Sequence, residues 1–379
     1  MIEPTTLSVS GDRLSATYEF LGDVAMAESR ANALRVEQTI EFPADLVPDD
    51  DIQREIIGRI ESVEVMTSDM VRVVVSYAVE TTGFEFPQLL NVLWGNSALL
   101  PGTRLIDFSL PESLLAHFTG PRFSVEGLRR MFSAPTRPLL ATALKPMGLS
   151  AERLAQTAFE LALGGIDLIK DDHSLANQEF APYQERVERC SEAVRKANEQ
   201  TGYRAVYMPS LNAPYPLIEQ RLGEAIDAGA GALLVLPGIT GYDVMRELAR
   251  RDDIAVPIMA HPAFLGSYSA SPTNGIAHGA LYGKIMRLAG ADLSVFPNYG
   301  GRFSFSPREC REVAAGLTEP ITGIAPALPA PGGGMTLDRV AEIKEFYGSD
   351  VSLLIGGDLH RGTDLAATAA KFRAAVEDA

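Results

Sequence analysis

The chain has 379 residues, of which 46% are hydrophobic and 22% charged, a balance typical of a globular protein. Its formal net charge of −16 at pH 7 argues against nucleic acids and anionic membranes as partners, because these carry the same sign of charge. We expect no transmembrane helix, because no apolar stretch is long enough, and no secretion signal, because the N-terminus has no basic region. The two cysteines, Cys190 and Cys310, fit a cytoplasmic protein without disulfide bonds.

The first 130 residues predict an α+β domain. A helix is predicted over residues 86–93. Alternating apolar residues and apolar runs predict strands at 14–21, 36–42, 63–66, 71–79 and 105–110. Loop residues follow from Phe118 to Arg122, so we place the boundary close behind them. The predicted domains are 1–130 and 131–379.

From residue 139 onward, a short apolar run followed by a helical pattern recurs eight times. The runs are at 139–144, 166–169, 205–208, 232–236, 256–259, 292–296, 321–325 and 351–355. Eight such βα units predict a (β/α)8 barrel. A doubly wound open sheet is the alternative, but units of similar size close naturally into a barrel.

Ionisable side chains follow several of these runs, at the end of a barrel where active sites lie. The second run leads directly into Lys170, Asp171, Asp172 and His173. Lys170, Asp172 and His173 could hold Mg²⁺ if CO₂ converts the lysine into a carbamate, which supplies oxygen ligands. The alternative is a buried ion pair between lysine and aspartate that stabilises the barrel.

Two further side chains are candidates for proton transfer. Lys145 follows the first strand and could carry a proton, although a simple cationic contact with a phosphate is also consistent with it. His261 follows the fifth strand and could shuttle a proton or polarise a carbonyl, or it could be a packed core histidine.

Glycine-rich turns follow the seventh and eighth strands, at Gly332–Gly334 and at Gly356-Gly357. Glycines let backbone N–H groups approach phosphate oxygens, and phosphate sites of barrels are frequent at this place. One such turn alone would indicate only a tight bend, but two at neighbouring strands predict a phosphate site.

The segments Thr142–Leu149 and Gly165–His173 resemble the ribulose-bisphosphate carboxylase (RuBisCO) large chain, and more closely the RuBisCO-like proteins. Glu37-Gln38-Thr39, Gly95-Asn96-Ser97 and Ala260-His261-Pro262 extend the resemblance along most of the chain. It implies a ferredoxin-like N-terminal domain before the barrel, and a homodimer in which each first domain closes the partner's active site.

The resemblance also implies roles for single residues. Lys170 matches a carbamylated lysine that binds Mg²⁺, Asp172 a carboxylate ligand, and Lys145 a lysine that transfers protons. His261 matches a histidine close to the reacting carbons. The first domain would present Asn96 and Glu37, and the phosphate would be bound by Gly332, Gly333, Gly356 and Gly357.

Four departures from the carboxylase change the expected chemistry. His173 replaces a glutamate ligand, which removes one negative charge from the metal site. Pro262 and Met147 replace an arginine and a lysine, and residues 298–303 contain no lysine. These changes remove the cations that would bind a second phosphate and a CO₂ adduct. A substrate with one phosphate is therefore expected, and fixation of CO₂ is not.

The chemistry that remains is that of an enolate. The first prediction is a carbon–carbon lyase that decarboxylates a 3-oxo sugar acid phosphate of the 3-oxo-isoapionate 4-phosphate type. The second is an enolase or isomerase of a ketose phosphate such as a methylthio-sugar phosphate. The third is a relative that binds a sugar phosphate without catalysis, but a binding protein need not keep Lys145, Lys170, Asp172 and Asn96.

Overall fold

A computed structural model describes residues 7–303 and 305–377. The chain packs into two compact units. Unit 1 comprises Met1–Phe118, Leu265–Leu281 and Thr322–Ile324, and unit 2 comprises Thr119–Phe264, Tyr282–Ile321 and Ala325–Ala379. The packing of the chain into these units does not show whether residues 1–130 and 131–379 fold as separate domains. That division stays a prediction.

Strands and helices are numbered in chain order. The strands are β1 Arg13–Leu21, β2 Arg59–Thr67, β3 Met70–Ala78, β4 Thr103–Ser109, β5 Leu139–Leu144, β6 Leu168–Asp171, β7 Val206–Met208, β8 Leu233–Val235, β9 Ile258–Ala260, β10 Gly275–Ile276, β11 Leu293–Pro297, β12 Leu328–Gly332 and β13 Ser352–Ile355. The α-helices are α1 Val24–Glu37, α2 Phe86–Trp94, α3 Glu112–Leu115, α4 Ser124–Met131, α5 Ala151–Leu163, α6 Tyr183–Thr201, α7 Ile218–Asp227, α8 Pro237–Thr240, α9 Tyr242–Arg250, α10 Gly266–Ser269, α11 Met286–Leu288, α12 Pro307–Thr318, α13 Val340–Tyr347 and α14 Leu365–Glu377.

Unit 1 contains a five-stranded sheet in the order β10-β4-β1-β3-β2. Strand β1 alternates strictly, with Leu14, Ala16, Tyr18 and Phe20 buried, because successive side chains of a strand point to opposite faces. Strands β1 and β3 pair antiparallel. This is a sheet domain with helices, as the sequence predicts.

The predicted strand at 36–42 is wrong. Its first two residues end helix α1, and a turn follows. Asp23 caps the helix by accepting a hydrogen bond from the N–H of Met26, and buried Ala27, Ala31 and Leu34 form one helix face. The alternation of apolar residues after Val36 therefore continues a helix into a turn rather than forming a strand.

Unit 2 contains an eight-stranded parallel barrel in the order β7-β6-β5-β13-β12-β11-β9-β8. A parallel bridge between Ser210 and Leu234 joins the two ends of this series. The N–H of Leu234 donates to Pro209 at 3.0 Å, and the N–H of Leu211 donates to Leu234 at 2.9 Å. The predicted (β/α)8 barrel is confirmed.

The seventh barrel strand lies later than predicted. Residues 321–325 form a turn, and the strand is β12, in which Pro329 and Pro331 have no N–H to donate. The structure accommodates both prolines because β12 pairs fully with β11 but meets β13 only at Gly332 and Leu354. Prolines normally argue against a central strand, so the sequence pattern pointed to the wrong segment.

The barrel lumen is filled by every second residue of the strands. Leu139, Ala141, Leu168 and Met208 belong to one buried apolar cluster, together with side chains of the other strands. Helix α4 contributes Val125 and Leu128 to the same cluster, so the amino-terminal end of the lumen is packed with side chains. The lumen can therefore hold a ligand only towards the carboxyl ends of the strands.

Candidate functional site

The predicted catalytic side chains continue the lumen-facing positions of the strands. Lys145 comes directly after β5, four residues beyond Ala141. Lys170 lies two residues after Leu168 on β6, and Asp172 follows two residues later, directly after the strand. His261 follows Met259 of β9 in the same way. The strands therefore place these four residues above the apolar cluster, at the carboxyl end of the barrel.

Asp172 is the centre of this group. Its Oδ1 lies 3.4 Å from Nζ of Lys145 and 3.2 Å from Nδ1 of His173. Its Oδ2 accepts a hydrogen bond from Ser174 at 3.1 Å. Burial raises the pKa of Asp172, but the hydrogen bond from His173 and the charges of Lys170 and Lys145 together lower it well below its usual value. Asp172 is therefore a carboxylate at neutral pH.

Lys170 lies deeper than the other members of the group. Its side chain is buried, and Nζ donates to the backbone carbonyl of Asp171 at 3.0 Å. Burial lowers the pKa of Lys170 to about 8, with a further decrease from the charge of Lys145 and a partial offset from Asp172 and Asp171. More of this amine is therefore neutral at a given pH than in an exposed lysine, and the neutral amine is the form that reacts with CO₂.

His261 and His173 form a stacked pair. Their ring centroids lie 4.8 Å apart, with 12° between the planes. Nδ1 of His261 is the acceptor for the N–H of Ala263 at 3.1 Å. Burial, and then the charges of Lys170 and His173, lower the pKa of His261 well below 6.5. The imidazole of His261 is therefore neutral at neutral pH, which allows it to donate a hydrogen bond from Nε2.

The sequence did not single out Ser174 and His360 as part of this region. Ser174 donates a hydrogen bond to Asp172, as described above. Burial, and then the charge of Lys145, lower the pKa of His360. A possible signal for His360 was its place directly after the glycine turn of the eighth barrel strand. For Ser174, spacing alone gave no indication.

The glycine turns differ in what surrounds them. A Cβ at Gly332 would meet Leu354 at 3.0 Å, and Gly333 has a φ of +99°, so packing or backbone conformation explains glycine at both positions. At Gly356 and Gly357 a Cβ would meet nothing within 4 Å. Open space beside the backbone there is what a bound phosphate needs.

Glu37 and Asn96 lie together in unit 1. Nδ2 of Asn96 donates to Oε1 of Glu37 at 2.8 Å. The buried Gln38 explains this proximity, because its Nε2 donates to the carbonyls of Asn91 and Val92 while its Oε1 accepts from the N–H of Ser97. The resemblance assigns Glu37 and Asn96 to one site, which stays a prediction, and nothing in the sequence pointed to Gln38 as the residue that holds them together.

The donor set of this region fits a divalent cation if Lys170 is modified to a carbamate, which adds oxygen ligands to Asp172 and His173. The part of the chain that the structure describes brings no three His, Cys, Asp or Glu side chains together as a metal site. Asp172 and His173 would supply two ligands, and a carbamate on Lys170 would supply a third from the barrel. The roles predicted for these residues stay predictions.

In the described ranges, no helix has the length and hydropathy needed to cross a membrane.

The family model described as ribulose bisphosphate carboxylase large chain, catalytic domain, matches residues 124–296. This range includes Lys145, Lys170, Asp172 and His261.

Three known proteins are similar to this chain over at least 81% of its length. A 5-methylthioribulose-1-phosphate isomerase of Rhodospirillum rubrum is 39% identical over 97% of both chains. A 2,3-diketo-5-methylthiopentyl-1-phosphate enolase of Geobacillus kaustophilus is 35% identical over 81% of this chain and 75% of its own. The crystal structure of a RuBisCO-like protein from Rhodopseudomonas palustris superposes with a TM-score of 0.88 and 39% identity, over 97% of this chain and 99% of that one. This chain therefore belongs to the RuBisCO-like proteins of the ribulose-bisphosphate carboxylase large-chain family.

Proposed function

We propose that this chain is an isomerase that moves a proton beside the carbonyl group of a monophosphorylated sugar, with 5-methylthioribulose 1-phosphate as the substrate to test. The observation that carries the proposal is the likeness to the Rhodospirillum rubrum isomerase over 97% of both chains. The enolase of Geobacillus kaustophilus is less similar and covers less of the chain. Both names support the second prediction from the sequence. Neither supports decarboxylation.

Lys145 is the residue proposed to move the proton. Its side chain is 42% exposed, and its Nζ lies 3.4 Å from Oδ1 of Asp172. A lysine held by a carboxylate in this way can transfer a proton to or from a carbon atom placed above it. The neutral His261 is proposed to donate a hydrogen bond to the substrate oxygen that gains charge, and such donors stabilise an enediolate.

The cation proposed here is Mg²⁺, held by Asp172, His173 and a carbamate on Lys170. Bound there, it would supply a Lewis acid that stabilises the negative charge of the enediolate. The glycine turns at Gly332-Gly333 and Gly356-Gly357 would bind the single phosphate and orient the reacting carbons.

We further propose that the chain acts as a cytoplasmic homodimer in which Glu37 and Asn96 complete the partner's site, as the family resemblance implies. Glu37 and Asn96 already form one hydrogen-bonded pair, which supports their acting together. Light scattering of the purified protein tests the assembly, and a monomeric protein with full activity would exclude a shared site.

The activity is tested by ¹H NMR in D₂O with 5-methylthioribulose 1-phosphate, Mg²⁺ and bicarbonate. The expected result is loss of a carbon-bound proton signal and appearance of an isomeric sugar phosphate. Release of CO₂ from a 3-oxo sugar acid phosphate, with no exchange in the ketose, would replace the isomerase with a decarboxylase. Binding of sugar phosphates without either reaction would leave only the non-catalytic alternative.

A further inference from the structure

Asp171 ends β6 between two of the predicted metal-site residues, Lys170 and Asp172, but its side chain points the opposite way. Because strand side chains alternate, Lys170 and Asp172 face the lumen while Asp171 faces the surrounding helices. The side chain of Asp171 is completely buried, and so is that of its partner Arg186 on α6. Removing two charges from water costs free energy, so we ask which parts of the site the contacts of this ion pair hold in place.

Four donors surround the carboxylate of Asp171. Oδ1 accepts from the hydroxyl of Tyr207 at 2.6 Å and from Nε of Arg186 at 3.2 Å. Oδ2 accepts from Arg186 and from the N–H of Ser210, both at 3.1 Å. With this many donors the carboxylate cannot rotate, and the backbone of Asp171 is fixed with it. That backbone carbonyl is the acceptor for Nζ of Lys170.

Arg186 also holds the loop that follows β6. Its guanidinium donates to the carbonyl of Ala181 at 2.7 Å and to the carbonyl of Ala176 at 2.8 Å. Asp172 and His173 lie at the start of this loop. One buried arginine therefore joins Asp171, at the end of the strand, to two points along the loop that bears the proposed ligands.

We propose that Asp171, Arg186 and Tyr207 are positioning residues that hold Lys170, Asp172 and His173 in the arrangement that binds the cation. This inference rests on the cation site of the proposed function. The carboxylate of Asp171 faces away from the proposed cation site. It acts through its own carbonyl on Lys170 and through Arg186 on the loop. If the network served stability alone, loosening it would lower the melting temperature and leave cation affinity unchanged.

The test compares Tyr207→Phe with Tyr347→Phe. The first variant removes one hydroxyl from Asp171 and leaves the ion pair in place. The second removes a partly buried hydroxyl bond, from Tyr347 to Oδ1 of Asn298 at 2.7 Å, in the same unit but away from β6. Mn²⁺ binding is measured by electron paramagnetic resonance with bicarbonate present, and the lysine carbamate by ¹³C NMR with ¹³C-bicarbonate. Thermal unfolding is recorded for each protein.

We expect Tyr207→Phe to bind Mn²⁺ about tenfold more weakly, with less carbamate, and Tyr347→Phe to bind as the wild type does. A second variant, Arg186→Lys, keeps the charge beside Asp171 but loses the bonds to Ala176 and Ala181. It should weaken Mn²⁺ binding at least as much as Tyr207→Phe does. Unchanged affinity in both Tyr207→Phe and Arg186→Lys would overturn the positioning role alone. A wild-type chain that binds no Mn²⁺ would overturn the cation site and this inference with it.

Discussion

Asn96 donates a hydrogen bond of 2.8 Å to Glu37, although 59 residues separate them in the chain. The neighbour of each residue makes this possible, because Gln38 accepts from the N–H of Ser97 at 3.1 Å. Gln38 also satisfies two carbonyls at the end of α2, so a single buried amide ties α1, α2 and the turn after it together.

The first prediction concerns this amide. Gln38→Leu removes the side-chain partner of the Val92 carbonyl and of the Ser97 N–H, while the Asn91 carbonyl keeps its bond from the N–H of Gly95. We therefore expect a loss of about 1–3 kcal/mol in the free energy of unfolding. Urea unfolding measures this loss. Asn32→Ala, which removes an exposed amide of α1, should change the stability by less than about 0.5 kcal/mol. Equal effects of the two substitutions would show that Gln38 is not an anchor.

The second prediction concerns proton transfer. We expect Lys145→Met to abolish exchange of the substrate's carbon-bound proton and to leave the melting temperature close to that of the wild type, because this side chain is 42% exposed. The matched control is Lys371→Met, which removes an exposed lysine from α14. Undiminished exchange in Lys145→Met would remove this residue from the proposed mechanism.

The third prediction concerns pH. Asp292 is buried in unit 2 and accepts from the N–H groups of Phe123, Ser124 and Ile258. Burial raises its pKa to about 6, although the backbone hydrogen bonds oppose this. Because the folded-state pKa lies above the unfolded value of about 4, the contribution of Asp292 to stability is complete below pH 4 and is lost as the pH rises through 6.

Urea unfolding at pH 5 and pH 7 checks this sign. The stability of the wild type relative to Asp292→Asn should fall by about 1 kcal/mol between these two values, since one pKa unit corresponds to about 1.4 kcal/mol. A relative stability that stays constant, or that grows with pH, would contradict the raised pKa of Asp292.

The fourth prediction concerns two ion pairs of unit 2 that differ in burial. Arg137 holds the buried Asp167 through two hydrogen bonds of 2.7 Å, and Arg373 approaches the same carboxylate at 3.1 Å. Asp167→Asn leaves the buried charge of Arg137 with the half-exposed Glu377, 4.0 Å away, in place of its close counter-ion, so we expect a loss of about 3–5 kcal/mol.

Asp350→Asn is the control, because it breaks the pair of a half-exposed carboxylate with Arg129, and such pairs contribute at most about 1 kcal/mol. Thermal or urea unfolding of the two variants gives the comparison. Similar losses of stability in both variants would mean that burial of Asp167 does not increase the cost of breaking its ion pair.

Local patterns of the sequence predicted the elements that are repeated and regular. Strand β5 has the predicted bounds, since an apolar run followed by a helical pattern leaves little ambiguity there. Strand β12 was not predicted because two prolines argue against a strand there. Helix α1 was not predicted because its last residues begin an alternation typical of a strand. In both cases contacts with distant residues decide the outcome.

The candidate site shows the same limit. The order of Lys145, Lys170 and Asp172 along neighbouring strands was enough to predict that they meet, because strand ends of a barrel converge. The stacking of His173 on His261 and the bonds of Arg186 to the loop could not be predicted, since they depend on the path of the chain after the strand. Spacing identifies which side chains reach the lumen but not what holds them there.

The opposite orientations of Lys170 and Asp171 restrict how this protein can diverge. Loss or gain of one residue within β6 would turn the aspartate into the lumen and bury the lysine against the helices, exchanging both environments at once. New specificities can therefore arise here by replacing side chains one at a time, whereas changes in length are confined to the loops beyond the strand.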